Sequence, residues 1–170
     1  EAGADYLDFD WWNNISILHA QILSSSSIDM GVRVQINITS FAGKKDLLSR
    51  LLELMDLSPP LFPISVILDG LESWENGIAG WLSILETPTL ASSLQYISEI
   101  SVSAINFTIH GVQLFSQTVG KMQKLKSFHL ISCTFPQNAS LWTLFAGLPI
   151  MPEINAINVT DTLVNDDDAL

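Results

Sequence analysis

The stretch that decides the fold is LKSFHLISCTF, residues Leu125–Phe135. Apolar side chains stand at Leu125, Phe128, Leu130, Cys133 and Phe135, with polar or small residues at most positions between. The alternation through Phe128 and Leu130 has the period of a strand with one buried face. The stretch ISEISVSAINF, Ile97–Phe107, repeats the pattern 28 residues earlier, with Ile97, Ile100, Val102, Ile105 and Phe107 in the same places. Outward from these two copies, a shorter core of apolar-x-apolar-x-x-apolar recurs. It reads Ile36, Ile38, Phe41, then Val66, Leu68, Leu71, and after Cys133 it reads Ile154, Ala156, Val159. Successive copies begin 30, 34, 28 and 26 residues apart. A three-position pattern is common in a chain that is 48% apolar, so its weight comes from the near-constant interval.

Between these cores lie segments with helical spacing. Lys44–Leu57 carries a stripe of Leu47, Leu48, Leu51, Leu52, Leu54 and Met55 and is closed by Pro59 and Pro60. Ile78–Leu85 is expected to stop near Pro88, Val112–Met122 presents Phe115 and Val119, and Leu141–Leu148 precedes Pro149. Ahead of the first core, Tyr6–Leu23 places Trp11, Trp12, Ile15, Leu18, His19 and Ile22 at helical spacing, and Asp5, Asp8 and Asp10 favour a helix N-terminus there. The chain therefore divides into an N-terminal helical segment over 1–31, about five irregular repeats over 32–160, and an acidic tail over 161–170.

The units at Ile97 and Leu125 resemble leucine-rich repeats that contain a helix. They are closest to the ribonuclease-inhibitor type and to the irregular repeats of F-box proteins, especially the divergent fungal kind. The resemblance covers roughly Val32 to Val159. The family's usual ninth-position Asn is replaced by Phe41, Leu71, Ile105, Cys133 and Val159. The resemblance implies an α/β solenoid with parallel strands on the concave side and helices on the convex side. Such arrays need capped ends, and no polar cap follows Val159, so the chain is expected to be a piece of a longer array or to have its ends covered by neighbours. A doubly wound α/β domain fits the same alternation of elements. Its nucleotide-binding form wants a glycine-rich turn, and Phe41–Asp46 has one Gly and no Ser/Thr after the Lys pair.

Composition narrows the function. The 170 residues hold 18 acidic and 7 basic side chains, for a net charge of -11, which argues against a nucleic-acid surface. A single cysteine rules out an internal disulfide framework. No apolar run reaches the length of a membrane span, and the apolar stretch Leu61–Leu68 is short and interrupted by Pro63. The N-terminus lacks the basic and apolar regions of a signal peptide, as either a processed end or an excised piece would.

Five Asn-x-Ser/Thr sequons, at Asn14, Asn37, Asn106, Asn138 and Asn158, exceed the one or two that nine Asn and 29 Ser plus Thr give by chance. Asn37, inside a strand-like core, is a poor place for a bulky glycan. No nucleophile elbow, zincin motif or paired zinc cysteines occur. His19, His110 and His129 are far apart, Cys133 falls at a core position, and Asp166–Asp168 lack the alternation of a calcium loop. The chain is expected to be non-catalytic and to need no cofactor or metal.

What remains is the concave face of the sheet, the outer face in the sense that it is turned away from the core. Side chains flanking the apolar positions should form three rows across the stacked strands. One row is Gln35, Ser65, Glu99, Ser127, Glu153; the next is Asn37, Ile67, Ser101, His129, Asn155; the third is Thr39, Asp69, Ser103, Ile131, Ile157. Five strands about 4.8 Å apart spread this face over roughly 20 Å, enough for a peptide or one face of a small domain. Candidate partner-binding residues are Asn37, Asp69, Glu99, Ser101, Ser127, His129, Glu153 and Asn155. With acids and no Lys or Arg in the rows, the expected partner is a neutral or basic protein or peptide. The leading expectation is an interaction scaffold, a substrate-recognition segment of a cytoplasmic adaptor. The alternatives are a secreted or cell-surface glycosylated recognition domain, and an α/β enzyme or small-molecule binder.

Overall fold

Alternating apolar residues build five strands: β1 (Val34–Ile38), β2 (Ile64–Asp69), β3 (Ile97–Ser103), β4 (Ser127–Ile131) and β5 (Ala156–Thr160). They form one parallel sheet in the order β1-β2-β3-β4-β5, so the fold is of the α/β class. The computed structural model describes residues 8–25, 34–38, 41–69, 81–137, 144 and 153–162. The expected helices appear as α1 (Phe9–Ser25) and α2 (Phe41–Leu57), followed by a helical turn at 81–86. After it come α3 (Pro88–Ser93), a 3-10 turn (Leu94–Tyr96) and α4 (Ile109–Gly120). Of the expected helix Leu141–Leu148, only Leu144 is among the described residues; it is helical and buried. Leu71, Thr39 and Asp166–Asp168 lie outside the described residues.

Two rows of apolar residues align across the strands. Ile36, Val66, Ile100, Phe128 and Ile157 share one register position, and Ile38, Leu68, Val102, Leu130 and Val159 share the other. From β2 to β4 every member is fully buried. The opposite row of Ile67, Ser101 and His129 is only half-buried. Parallel sheets covered on both faces read as continuous apolar runs; alternation here matches a sheet with one dry face. Phe115 of α4 lies 6.2 Å from Phe128 and 6.5 Å from Trp81, which carries the helix onto the dry face. Phe107 packs 5.6 Å from Phe115 and stacks at 5.2 Å on Phe135.

At β5 the register departs from expectation. Ala156 pairs with Ser127, Ile157 with Phe128, Asn158 with His129, Val159 with Leu130 and Thr160 with Ile131. Glu153 and Asn155 are therefore not members of the outer rows; they lie just before the strand, and Ile157 stands in an inner row. The shift is three residues, and an odd shift exchanges the faces. Side-chain size favours it. The core Ile154-Ala156 would set a methyl group against Leu130, whereas Ile157 and Val159 set β-branched side chains against Phe128 and Leu130. Ile154 still packs against the core, partly buried, on the approach to β5.

A further regularity follows each of the last three strands. Ala104, Ser132 and Asp161, the residues directly after β3, β4 and β5, have φ of 54°, 53° and 50°. The Ala104 N–H donates to the Ile131 carbonyl and the Ser132 N–H to the Thr160 carbonyl, both at 2.9 Å. The left-handed corner turns the next residue inward, and Ile105 and Cys133 are both fully buried. After the first corner, Thr108 caps α4 by accepting from the Gly111 N–H at 3.0 Å.

The helical turn at 81–86 stops just before Pro88, as expected, and a new helix begins there. Proline has no N–H to give, and the first turn of a helix requires none, so Pro88 starts α3 behind Thr87. Leu90 and Leu94 carry that segment into the core. At the other end, α1 begins with Asp8, whose Oδ1 accepts from the Trp11 N–H at 2.7 Å. Its buried Trp12 packs 5.1 Å from Phe62 and donates Nε1–H to the Ser58 carbonyl at 2.9 Å.

The left-handed corners generate a test. A non-glycine residue there costs about 1–2 kcal/mol, and glycine returns part of that through its freer unfolded chain. Ala104→Gly and Ser132→Gly should each raise the unfolding free energy by about 0.5–1 kcal/mol in urea titrations. A loss of stability would show that the corners are misplaced.

Candidate functional site

A cleft of about 500 Å³ opens across the amino ends of β2 to β5. Pro60–Pro63 form one wall ahead of β2, and Tyr96, Ser98 and Glu99 line it at the start of β3. Lys124, Lys126 and Ser127 contribute from the start of β4, and Glu153 and Asn155 from the approach to β5. The volume is that of a small-molecule or peptide-segment pocket.

Local structure accounts for each wall. Phe62 is held between Trp12 and His19, with ring centroids 5.1 and 5.5 Å away, and the preceding Leu61 is left 90% exposed at the rim. At the start of β3 the pairing slips, with Ile64 facing Ile97 and Ser65 facing Glu99, so that Ser98 is an extra residue. Its hydroxyl takes over the missing ladder contacts, accepting from the Ile64 N–H at 3.0 Å and donating to the Ile64 carbonyl at 2.9 Å. Bulges of this kind re-aim neighbouring side chains, and Glu99 follows directly. Ser65, fully buried, donates Oγ–H to Glu99 Oε1 at 3.2 Å. The Lys124 N–H donates to the Gln95 carbonyl and the Lys126 N–H to the Ser98 carbonyl, which fixes that segment beside β3. The Lys124 ammonium lies 5.0 Å from the centre of the Tyr96 ring, within cation–π range.

Of the eight candidate residues, the structure brings Glu99, Ser127, Glu153 and Asn155 together in this cleft. Ser101 and His129 are Cα partners in the middle outer row, half-buried and outside it. Asn37, on the edge strand β1, pairs with Ile67, and Asp69, at the carboxyl end of β2, pairs with Ser103 in the third row; neither lines the cleft. The sequence reading missed Leu61, Tyr96, Lys124 and Lys126. For Leu61 a signal existed: Phe62, Ile64, Val66 and Leu68 are all buried at period two, and that phase sends Leu61 outward. The lysines change the charge argument. The outer rows carry none, but the cleft sets Lys124 and Lys126 against Glu99 and Glu153.

The other flagged residues stand apart. The stretch Phe41–Asp46 belongs to the backbone of α2 and is not a loop ahead of it. His19 is a buried residue of α1, and His110 is exposed at the start of α4. Among the described residues, no group of three or more His, Cys, Asp or Glu side chains could hold a metal ion, and no helix is long and apolar enough to cross a membrane. No protein-family model, curated protein or solved structure matches the chain.

Cys133 is fully buried, and burial pushes its thiol pKa up against the lowering influence of the Ile105 and Ile131 backbone. A thiol raised in the folded state ionises first in the unfolded chain. Its contribution to stability is therefore full below the ordinary value of 9.0 and is lost as pH rises through the folded value. Unfolding midpoints should fall above that pH in the native chain and fall less in Cys133→Ala. A thiol reagent at neutral pH should label Cys133 only after denaturation; rapid native labelling would contradict its burial.

Proposed function

We propose that the chain is a non-catalytic repeat scaffold that takes up a polypeptide segment on the outer face of its sheet, anchored in the cleft at the strands' amino ends. The observation that carries this reading is the cleft itself. It pairs an exposed apolar rim residue, Leu61, with charges of both signs and with small polar residues of β3 and β4. Backbone and side-chain donors and acceptors of a peptide find partners there without a deep apolar hole, and the mixed charges favour a partner segment that itself alternates in sign.

The repeat reading has its own support. Sequential strand order without reversal, one dry face, and left-handed corners 28 and 29 residues apart fit a solenoid of stacked units. In that reading α1, packed on Phe62 and Ser58, covers the first unit as a cap. The doubly wound alternative is less well supported. Such sheets bind ligands outside the carboxyl ends of their strands, where the strand order reverses; here the order does not reverse and the cleft lies at the amino ends. The resemblance to leucine-rich repeats is consistent with the same scaffold role.

Selection of peptides from a random library on the immobilised chain tests the proposal. Glu99→Lys, His129→Lys and Glu153→Lys together should weaken the selected peptides by at least about tenfold while leaving the far-UV spectrum and melting profile intact. Failure to select any peptide, or selected peptides indifferent to the triple change, would contradict it.

A further inference from the structure

The entries to β3, β4 and β5 line the cleft by the same device. Ile97 and Leu125 are fully buried and Ile154 is half-buried. The residues on either side of each line the cleft: Tyr96 and Ser98, Lys124 and Lys126, Glu153 and Asn155. Burying the middle residue of an extended triplet turns both of its neighbours the other way. Backbone hydrogen bonds carry the strand order into these entries. The Lys124 N–H donates to the Gln95 carbonyl at 3.2 Å, the Lys126 N–H to the Ser98 carbonyl at 2.8 Å, and the Asn155 N–H to the Lys126 carbonyl at 3.0 Å. From β3 towards β5 the cleft therefore presents the Tyr96 ring, then two ammonium groups, then a carboxylate and an amide. On the β2 side the apolar wall with exposed Leu61 begins the series.

The charges in this series are sorted by strand and kept apart. Lys124 leans towards Tyr96, its ammonium 5.0 Å from the ring centre, on the side away from Glu153. Among the described residues no ion pair joins Lys124 or Lys126 to Glu153. Glu99 lies one residue further into β3, and its Oε1 accepts from Ser65 of β2, again on the side away from the lysines. The cation pair and the carboxylate beyond it thus stand side by side as separate charges. A ligand matches such an order best when its own charges follow the opposite one.

We propose that the cleft takes its peptide crosswise to the strands and recognises three side chains in order. An apolar or aromatic one lies on Leu61 and Tyr96, an acidic one between Lys124 and Lys126, and a basic one at Glu153. This order rests on the cleft being a peptide site and adds which side chains are recognised there. The distance fits. From the β2 wall to the Glu153 entry is three strand spacings, roughly 14 Å, which an extended peptide covers in about four or five residues. The step from the lysines to Glu153 is one spacing, about 5 Å, or one to two residues. Tyr96 also holds the Lys124 ammonium in place before a ligand arrives, which lowers the ordering cost of the contact with the acid.

Selection from a random linear peptide library tests the order, run in parallel on the native chain and on the Lys124→Glu, Lys126→Glu double variant. Both lysines are exposed, so the variant should keep the native far-UV spectrum and melting profile. The native chain should enrich peptides in which an acid stands between an apolar and a basic residue within about five positions. Exchanging that acid and base in the tightest peptide should weaken its binding to the native chain by about tenfold or more in fluorescence anisotropy. The double variant should enrich a base where the native chain takes the acid. Peptides with no shared order, an exchange without effect, or the native order enriched by the double variant would overturn the order and leave the peptide site standing. Enrichment of no peptide by the native chain would overturn both.

Discussion

The alignment of two apolar rows across parallel strands is the constraint on which everything else rests. Val66, Ile100 and Phe128 in one row, and Leu68, Val102 and Leu130 in the other, are withdrawn from water together. Each such side chain contributes about 1.5–3 kcal/mol on full burial. A polar contact on the other face, such as Ser65 to Glu99, contributes about 0.5–1.5 kcal/mol net. The dry face therefore decides the register, and a slip of one of these strands by one residue would place both of its inner-row side chains in water and their flanking groups in the core. Outside buried positions such as Ser65, the outer face can vary in chemistry with less cost to the fold.

The corners and the cleft follow from the same alignment. A strand that must keep its inward row in step with its neighbours ends at a fixed point, and the left-handed residue after it sends Ile105 or Cys133 back into the core. At the opposite end, the chain has to enter each strand in register, and the fit is imperfect at β3. The Ser98 bulge absorbs the mismatch, and its hydroxyl satisfies an N–H and a carbonyl that would otherwise cost about 1–3 kcal/mol each to leave unpaired. Because entry segments carry this adjustment, they diverge from one another, and the cleft forms where Pro60–Pro63, Tyr96, Lys124 and Glu153 part.

Much of this was legible from periodicity. The phases of β1 to β4, the rows through Gln35 and Asn37 across those strands, and α2 and α4 follow from apolar spacing alone, because burial of one face leaves a trace of period two in a strand and 3.6 in a helix. β5 was not legible in phase. Ile154, Ala156, Ile157 and Val159 offer two inward pairings three residues apart, and the strand takes the one that sets Ile157 and Val159 beside Phe128 and Leu130. At Pro88 the expected helix stop was legible, but the helix that begins there was not, because proline can also open a helix and only a core for Leu90 and Leu94 to enter reveals it. The cleft was half legible. Glu99 and Ser127 sit on strands whose phase was readable, whereas Tyr96, Lys124 and Lys126 sit in entry segments with no periodicity, where position comes from backbone hydrogen bonds to Gln95 and Ser98.

The central claim is that successive units stack strand on strand, in sequence order, with one outward row running from edge to edge. Disulfide trapping along that row tests it most directly. Neighbouring Cα atoms about 4.8 Å apart lie within the roughly 4.4–6.8 Å that a disulfide spans. In a Cys133→Ala background, cysteines introduced pairwise at Ile67 and Ser101, at Ser101 and His129, and at His129 and Asn158 should each bridge on mild oxidation. The pair at Ile67 and His129, two strands apart, should not. Bridging of that distant pair, or failure at His129 and Asn158 with bridging at His129 and Asn155, would contradict the account.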